Sequence, residues 1–137
     1  GTLRLGYGVV QGYQENGAPV PWQTTFAGLY QRSAAQAATP PFDLPTLWIE
    51  RRNHLNQATP LNFASTLDIT GGNSGSPVVN RAGQLVGLAF DSNAQGLVLD
   101  FGYSAGAGRA LSVHSAAIIE ALRSIYQAGR IVDEITR

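Results

Sequence analysis

Residues 71–77 read Gly-Gly-Asn-Ser-Gly-Ser-Pro, and the residue types there are the ones nucleophilic catalysis uses. A serine hydroxyl is a weak nucleophile until a neighbouring base takes its proton. The carbonyl it attacks becomes an oxyanion, which needs backbone N–H donors about 3 Å away. Glycines on both sides of Ser74 let the backbone turn tightly and expose such donors. The same residues also suit an ordinary glycine-rich turn with a solvent-facing serine, so the flanking sequence has to separate the two readings.

The loop resembles the Gly-Asp/Asn-Ser-Gly-Gly/Ser-Pro loop in which chymotrypsin-like serine peptidases carry their nucleophile. That resemblance implies Ser74 as the nucleophile and the N–H groups of Gly72 and Ser74 as the oxyanion hole. The residues downstream of the loop favour the catalytic reading. Ser76–Asn80, the turn Arg81-Ala82-Gly83 and Gln84–Phe90 form two short apolar runs joined by a glycine-containing loop, a hairpin signature. Trypsin-like enzymes have the same organisation after the nucleophile, with the second strand ending beside the specificity pocket. Counting along that strand puts Phe90, Asp91 and Ser92 on the pocket wall, in contact with substrate.

Other elements must hold this loop in place. Leu3, Leu5, Tyr7 and Val9 alternate with Arg4, Gly6, Gly8 and Val10, which predicts a strand with glycine breaks over residues 3–13. Glu15-Asn16-Gly17 is a turn signal. A short helix is predicted around Phe26–Arg32. Pro40-Pro41 breaks the chain, and Thr46–Leu55 offers a further helical turn or two with Leu47, Trp48 and Leu55 inward. Leu61–Leu67 reads as the strand leading into the Ser74 loop, and Gly96–Tyr103 and Arg109–Val113 as two more. From Ser115 the residues Ala116, Ile118, Ile119, Leu122, Ile125 and Tyr126 fall at helical spacing, with Ser112 or Ser115 to cap the start and Gly129 to end the helix. The expected fold class is mainly β: an antiparallel barrel of chymotrypsin-like type, with short inserted helices and a C-terminal helix.

Composition narrows the function classes. The chain has 137 residues, 44% hydrophobic and 13% charged, enough for one domain with a real core. Nine basic and nine acidic residues balance to zero, so no basic patch points to nucleic acid. No apolar run approaches the roughly 20 residues that span a bilayer. The absence of Cys excludes disulfides and thiolate–metal sites, and no cofactor or metal is called for. The absence of Met, even at position 1, reads as a processed product or a piece of a longer chain.

Longer stretches resemble one family in particular, the bacterial dipeptidyl peptidase 7/11 serine exopeptidases, which include the dipeptidyl aminopeptidase BII type. They are Thr2–Gly8, Thr24–Arg32, Pro60–Thr70, Gly71–Asn93 and Arg109–Ser115 with the helix behind it. Together they cover essentially the whole chain. The resemblance implies an exported enzyme, periplasmic or surface-associated and homodimeric, that releases dipeptides from the free N-terminus of oligopeptides. It implies a chymotrypsin-like double barrel carrying an inserted helical domain. The nucleophile, Ser74 here, lies on the second barrel. The triad His and Asp lie on the first, in an N-terminal half that this chain lacks. Without them the chain by itself is expected to be inactive. Its only histidines, His54 and His114, are read as an exposed side chain and a structural one.

Four positions bear on specificity and regulation. Asp68, six residues before Ser74, stands at the offset of the acidic pocket floor of trypsin. The resembled family carries it without trypsin-like cleavage, which favours a bracing role. Asn73 replaces the Asp that pairs with a new N-terminus in trypsin-like zymogens and cannot make that ion pair. Ser92 stands where members preferring hydrophobic penultimate residues have Gly and members preferring Asp or Glu have Arg. With no cation there, a hydrophobic or small uncharged preference is expected. Asp91 is a candidate partner for the substrate's terminal ammonium, or a structural carboxylate. Two further readings stay open: an endopeptidase, and a non-catalytic binding or assembly half-barrel.

Overall fold

The computed structural model describes residues 5–96 and 108–137. They divide into two compact units, one within Gly1–Gln23 and Asn62–His114, the other within Thr24–Leu61 and Ser115–Arg137.

The first unit is antiparallel β-structure. Strands β1 (Tyr13–Glu15) and β2 (Ala18–Val20) form a hairpin. Its turn places Asn16 and Gly17 at φ 51° and 78°, the left-handed pair that a tight hairpin requires. The main sheet runs in the order β3 (Gln23–Thr25), β4 (Pro60–Ser65), β7 (Ala110–His114), β6 (Leu85–Ser92), β5 (Pro77–Val79). Pro77 sits on the edge strand, where a missing N–H costs no ladder bond. Inward residues are small where strands crowd. Phe63, Ala64, Ala89, Ala110 and Ser112 are all buried, with Ser112 paired to Phe63 on one side and to Ala89 on the other.

The sequence reading holds for the hairpin β5–β6, for β4 and for β7. It differs from the described structure at residues 5–9 and at Gly96, and a closed barrel is not found among the described residues. Residues 5–9 form no strand; this segment is tied to the main sheet region by a single bridge, Val10 to Ser65, and by bonds such as Thr66 N–H to the Val9 carbonyl at 2.9 Å. Gly8 explains the approach: a Cβ there would lie 2.7 Å from the Leu67 nitrogen. Next, Gly96 belongs to a helical turn with residues 94 and 95, and the rest of the strand predicted over Gly96–Tyr103 lies outside the described residues. Finally, among the described residues the sheet runs from edge strand β3 to edge strand β5 and does not close into the expected barrel.

The second unit is helical. Helix α1 (Phe26–Ala35) begins at Thr25, whose hydroxyl accepts from Gly28 N–H at 3.3 Å. The spacing Phe26, Tyr30, Ser33 gives it one buried face. Helix α2 (Thr46–Glu50) and a 3₁₀ turn (Arg52–His54) follow. The Trp48 ring tilts onto Phe26 at 6.0 Å and its indole N–H donates to the Tyr126 hydroxyl at 3.1 Å. Leu55 is buried as expected, but Leu47 is 40% exposed, because α2 is too short to bury more than one side.

The C-terminal helix is not continuous to Gly129. Helix α3 (Ser115–Glu120) passes into a π-helical turn (Ala121–Ile125) and stops. Tyr126 N–H bonds to the Ala121 carbonyl and Ala128 N–H to the Leu122 carbonyl, with Gln127 left-handed at φ 54° between them. These bonds cap the helix end in the way a left-handed residue usually does. The Arg51 guanidinium donates to the Ser124 carbonyl at 2.8 Å and steadies the widened turn. Gly129 then opens helix α4 (Gly129–Ile135), which buries Val132.

Candidate active site

The loop between β4 and β5 carries Ser74 and is held by its own side chains. Asn73 Oδ1 accepts from Thr70 N–H at 2.8 Å, while Asn73 N–H donates to the Thr70 carbonyl at 3.1 Å. The Asn73 carbonyl accepts from Ser76 N–H at 2.9 Å. A second set of bonds clamps the loop to β6: Gly75 N–H to the Ala89 carbonyl at 2.7 Å, and Ala89 N–H to the Ser76 carbonyl at 3.0 Å. Gly72 and Gly75 take φ of 95° and 87°, so the tight turn uses glycine where an L side chain is strained.

Ser74 is exposed at the tip. Its hydroxyl donates to the Phe90 carbonyl at 3.2 Å. The N–H groups of Gly72 and Ser74 have no acceptor among the described residues. An exposed hydroxyl in a loop that leaves two backbone donors open can serve acyl transfer once a base and its orienting partner are supplied.

The Phe90 carbonyl reaches Ser74 because of a bulge. Strands β6 and β7 pair Ala89 with Ser112, then Asp91 with Leu111, which leaves Phe90 as the extra residue. Phe90 is 44% exposed. Asp91 is exposed, and its Oδ1 accepts from Ser92 N–H at 2.8 Å. The structure thus brings Ser74, Phe90, Asp91 and Ser92 along one loop and one strand end.

Other candidates lie elsewhere. Asp68, His114, Asn73 and Ser76 line an apolar groove of about 920 Å³ within the β-unit, bounded also by residues 5–10 and Val78–Arg81. Ser74, Phe90, Asp91 and Ser92 are not in its lining, so the groove runs behind the nucleophile loop. His114, at the end of β7, stands edge-on to the Phe63 ring at 5.8 Å. Burial holds its imidazole below the ordinary value of 6.5. His54 is exposed in the 3₁₀ turn and belongs to the other unit. Among the described residues no three His, Asp or Glu side chains gather as metal ligands, and no helix is long and apolar enough to cross a membrane.

Sequence reasoning missed two contributors. Asn73 figured only as the residue that cannot form a zymogen ion pair, yet its side chain closes the loop. Asn93 and Arg109, both buried, exchange two bonds just past β6. The signal for Asn73 was present, since Asn side chains readily bond backbone groups three or four residues back. Nothing in the sequence paired Asn93 with Arg109 across 16 positions.

The Peptidase S46 family profile matches residues 1–137. The chain is 32% identical to dipeptidyl-peptidase 7 of Phocaeicola vulgatus over 144 residues, covering 98% of this chain and 20% of that protein. It is 30% identical to the Asp/Glu-specific dipeptidyl-peptidase of Shewanella putrefaciens over 165 residues, covering 98% and 22%. A crystal structure of Porphyromonas endodontalis DPP11 in complex with the dipeptide Arg-Glu superposes with a TM-score of 0.84 at 28% identity, covering 98% of this chain and 20% of that one. The chain therefore spans about a fifth of the length of these relatives.

Proposed function

The chain belongs to the peptidase S46 family, and from that premise we propose that it is the nucleophile-bearing segment of a serine dipeptidyl peptidase. The observation that carries the proposal is the exposed Ser74, set between two left-handed glycines with open N–H donors beside it. The Ser74 hydroxyl leaves the Phe90 carbonyl and gives its proton to a base. The oxygen attacks the carbonyl that follows the second residue of a peptide. The oxyanion is held by the N–H groups of Gly72 and Ser74. Collapse breaks the C–N bond, the leaving amine takes the proton from the base, and a dipeptidyl ester remains on Ser74. Water then hydrolyses the ester and frees the dipeptide.

The base and its orienting carboxylate come, on this reading, from the remaining length of the parent protein. A triad serine stripped of its partners retains only about 10³–10⁴-fold catalysis over water, so this segment by itself is inactive. Asp91, exposed beside the bulge, binds the substrate's terminal ammonium through a charge-assisted bond. Ser92 places no cation at the pocket, which favours hydrophobic or small uncharged penultimate residues over the Asp or Glu named for some relatives. Tyr7, 93% exposed at the apolar groove, supports a further part of the parent packing there. A chymotrypsin-like barrel completed by that part, a homodimer and an exported location belong to the same proposal.

The test is hydrolysis of matched dipeptide–coumarin substrates, with free and acetylated N-termini, by the full-length parent and its Ser74→Ala variant. Cleavage of the free-amine substrate alone, lost in the variant, is expected. Cleavage of the blocked substrate makes the parent an endopeptidase, and activity surviving in the variant removes Ser74 from the chemistry.

A further inference from the structure

The end of β6 is shaped by one side chain. After the bulge the β6–β7 register runs Asp91 with Leu111 and Ser92 with Ala110, so Asn93 falls opposite Arg109. An antiparallel pair at that step would exchange two main-chain bonds. One is present: Asn93 N–H donates to the Arg109 carbonyl at 2.9 Å. The other is not made to the main chain. Arg109 N–H donates instead to Asn93 Oδ1 at 2.8 Å. The Asn93 carbonyl, released from the ladder, accepts from Gly96 N–H at 2.8 Å and closes the helical turn over residues 94–96.

That turn folds back on Ser92. A Cβ on Gly96 would lie 2.7 Å from Ser92 Cβ, 2.9 Å from Ser92 Oγ and 3.3 Å from Asn93 Oδ1. Asn93 is 5% exposed and Arg109 is 3% exposed. The Arg109 guanidinium donates to the Gly12 carbonyl at 3.1 Å and to the Gly108 carbonyl at 2.7 Å, so the far side of the pair is anchored too.

We propose that Asn93 is a positioning residue for substrate selection: its carboxamide stands in for a strand carbonyl, ends β6 at Ser92, and through the Gly96 turn sets where Ser92 meets the substrate's penultimate side chain. It touches no reacting atom and acts through Ser92. The inference rests on the dipeptidyl peptidase reading of the same strand end. The acceptor oxygen is what the ladder uses here, and Ala removes it.

The experiment compares the full-length parent with its Asn93→Ala and Gly96→Ala variants. It uses free-amine dipeptide–coumarin substrates that vary at the penultimate residue. A small fluorophosphonate, which needs no penultimate pocket, reads the reactivity of Ser74 independently. Loss of a buried hydrogen bond is expected to raise KM about tenfold in Asn93→Ala and to flatten the preference among penultimate residues. Fluorophosphonate labelling stays at the wild-type rate. Gly96→Ala, which presses one methyl on Ser92, gives the same KM shift even if Asn93→Ala fails to fold. Wild-type KM and preference in both Asn93→Ala and Gly96→Ala overturn the positioning role, as does a fall in labelling that matches the fall in turnover. A wild-type parent that leaves every free-amine substrate intact overturns the peptidase reading and this role with it.

Discussion

Gly72→Ala separates backbone strain from catalysis. Gly72 sits at φ 95°, and among the described residues nothing lies within 4 Å of where its Cβ would be. The methyl group therefore meets no atom, and the cost is conformational alone. An L residue in the left-handed region is disfavoured by about 1–2 kcal/mol. The loop has two responses. It can carry the strain, and the clamp between Gly75 N–H and the Ala89 carbonyl weakens by that amount. Or it can turn the Gly71–Gly72 peptide to relieve φ, which swings the Gly72 N–H away from Ser74. In the first case hydrogen exchange at Gly75 and Ala89 speeds up about 5–30-fold. In the second, loss of one oxyanion donor lowers kcat by about 10²–10³-fold with KM little changed. Gly83→Ala is the control. Gly83 has φ 75° in the turn between β5 and β6, with an equally open surround. It carries the same strain at a distance in sequence from Ser74, so local exchange quickens and kcat holds. The assays are hydrogen-exchange mass spectrometry over residues 70–90 and steady-state turnover, both on the full-length parent. If Gly72→Ala keeps both exchange and kcat within twofold of wild type, the left-handed turn and the oxyanion assignment are both wrong.

Two other outcomes rest on the same geometry. Asn73→Ala removes the 2.8 Å acceptor of Thr70 N–H, a bond worth about 0.5–1.5 kcal/mol; turnover is expected to fall by about 2–10-fold, with Asn73→Asp, which keeps the acceptor, close to wild type. His114 has a pKa held below 6.5 by burial, so the fold favours the neutral ring and its contribution is full above that value. Stability is lost as pH falls from there through the lower folded pKa, because the unfolded chain binds the proton first. Unfolding of the parent and of His114→Gln between pH 8 and pH 5 checks this: the wild type should lose more, and parallel profiles would exclude the effect.

Sequence alone determined what depends on neighbours along the chain. The Ser74 loop, the β5–β6 hairpin and helix α1 with its Thr25 cap are each specified by residues within a few positions of one another. Their glycines, turn residues and apolar spacing act locally. Tertiary structure decided the rest. The C-terminal helix carries apolar spacing through Tyr126, but a left-handed Gln127 ends it, with Arg51 holding the Ser124 carbonyl from 73 positions away. The alternation in residues 5–9 promised a strand, but pairing needs a partner edge, and the described chain supplies one bridge. The bulge at Phe90 exists because β6 must keep register with β7 on both sides of it, through Ala89 with Ser112 and Asn93 with Arg109. A strand's own sequence does not encode which residue its partner leaves over, and here that residue is the one whose carbonyl meets Ser74.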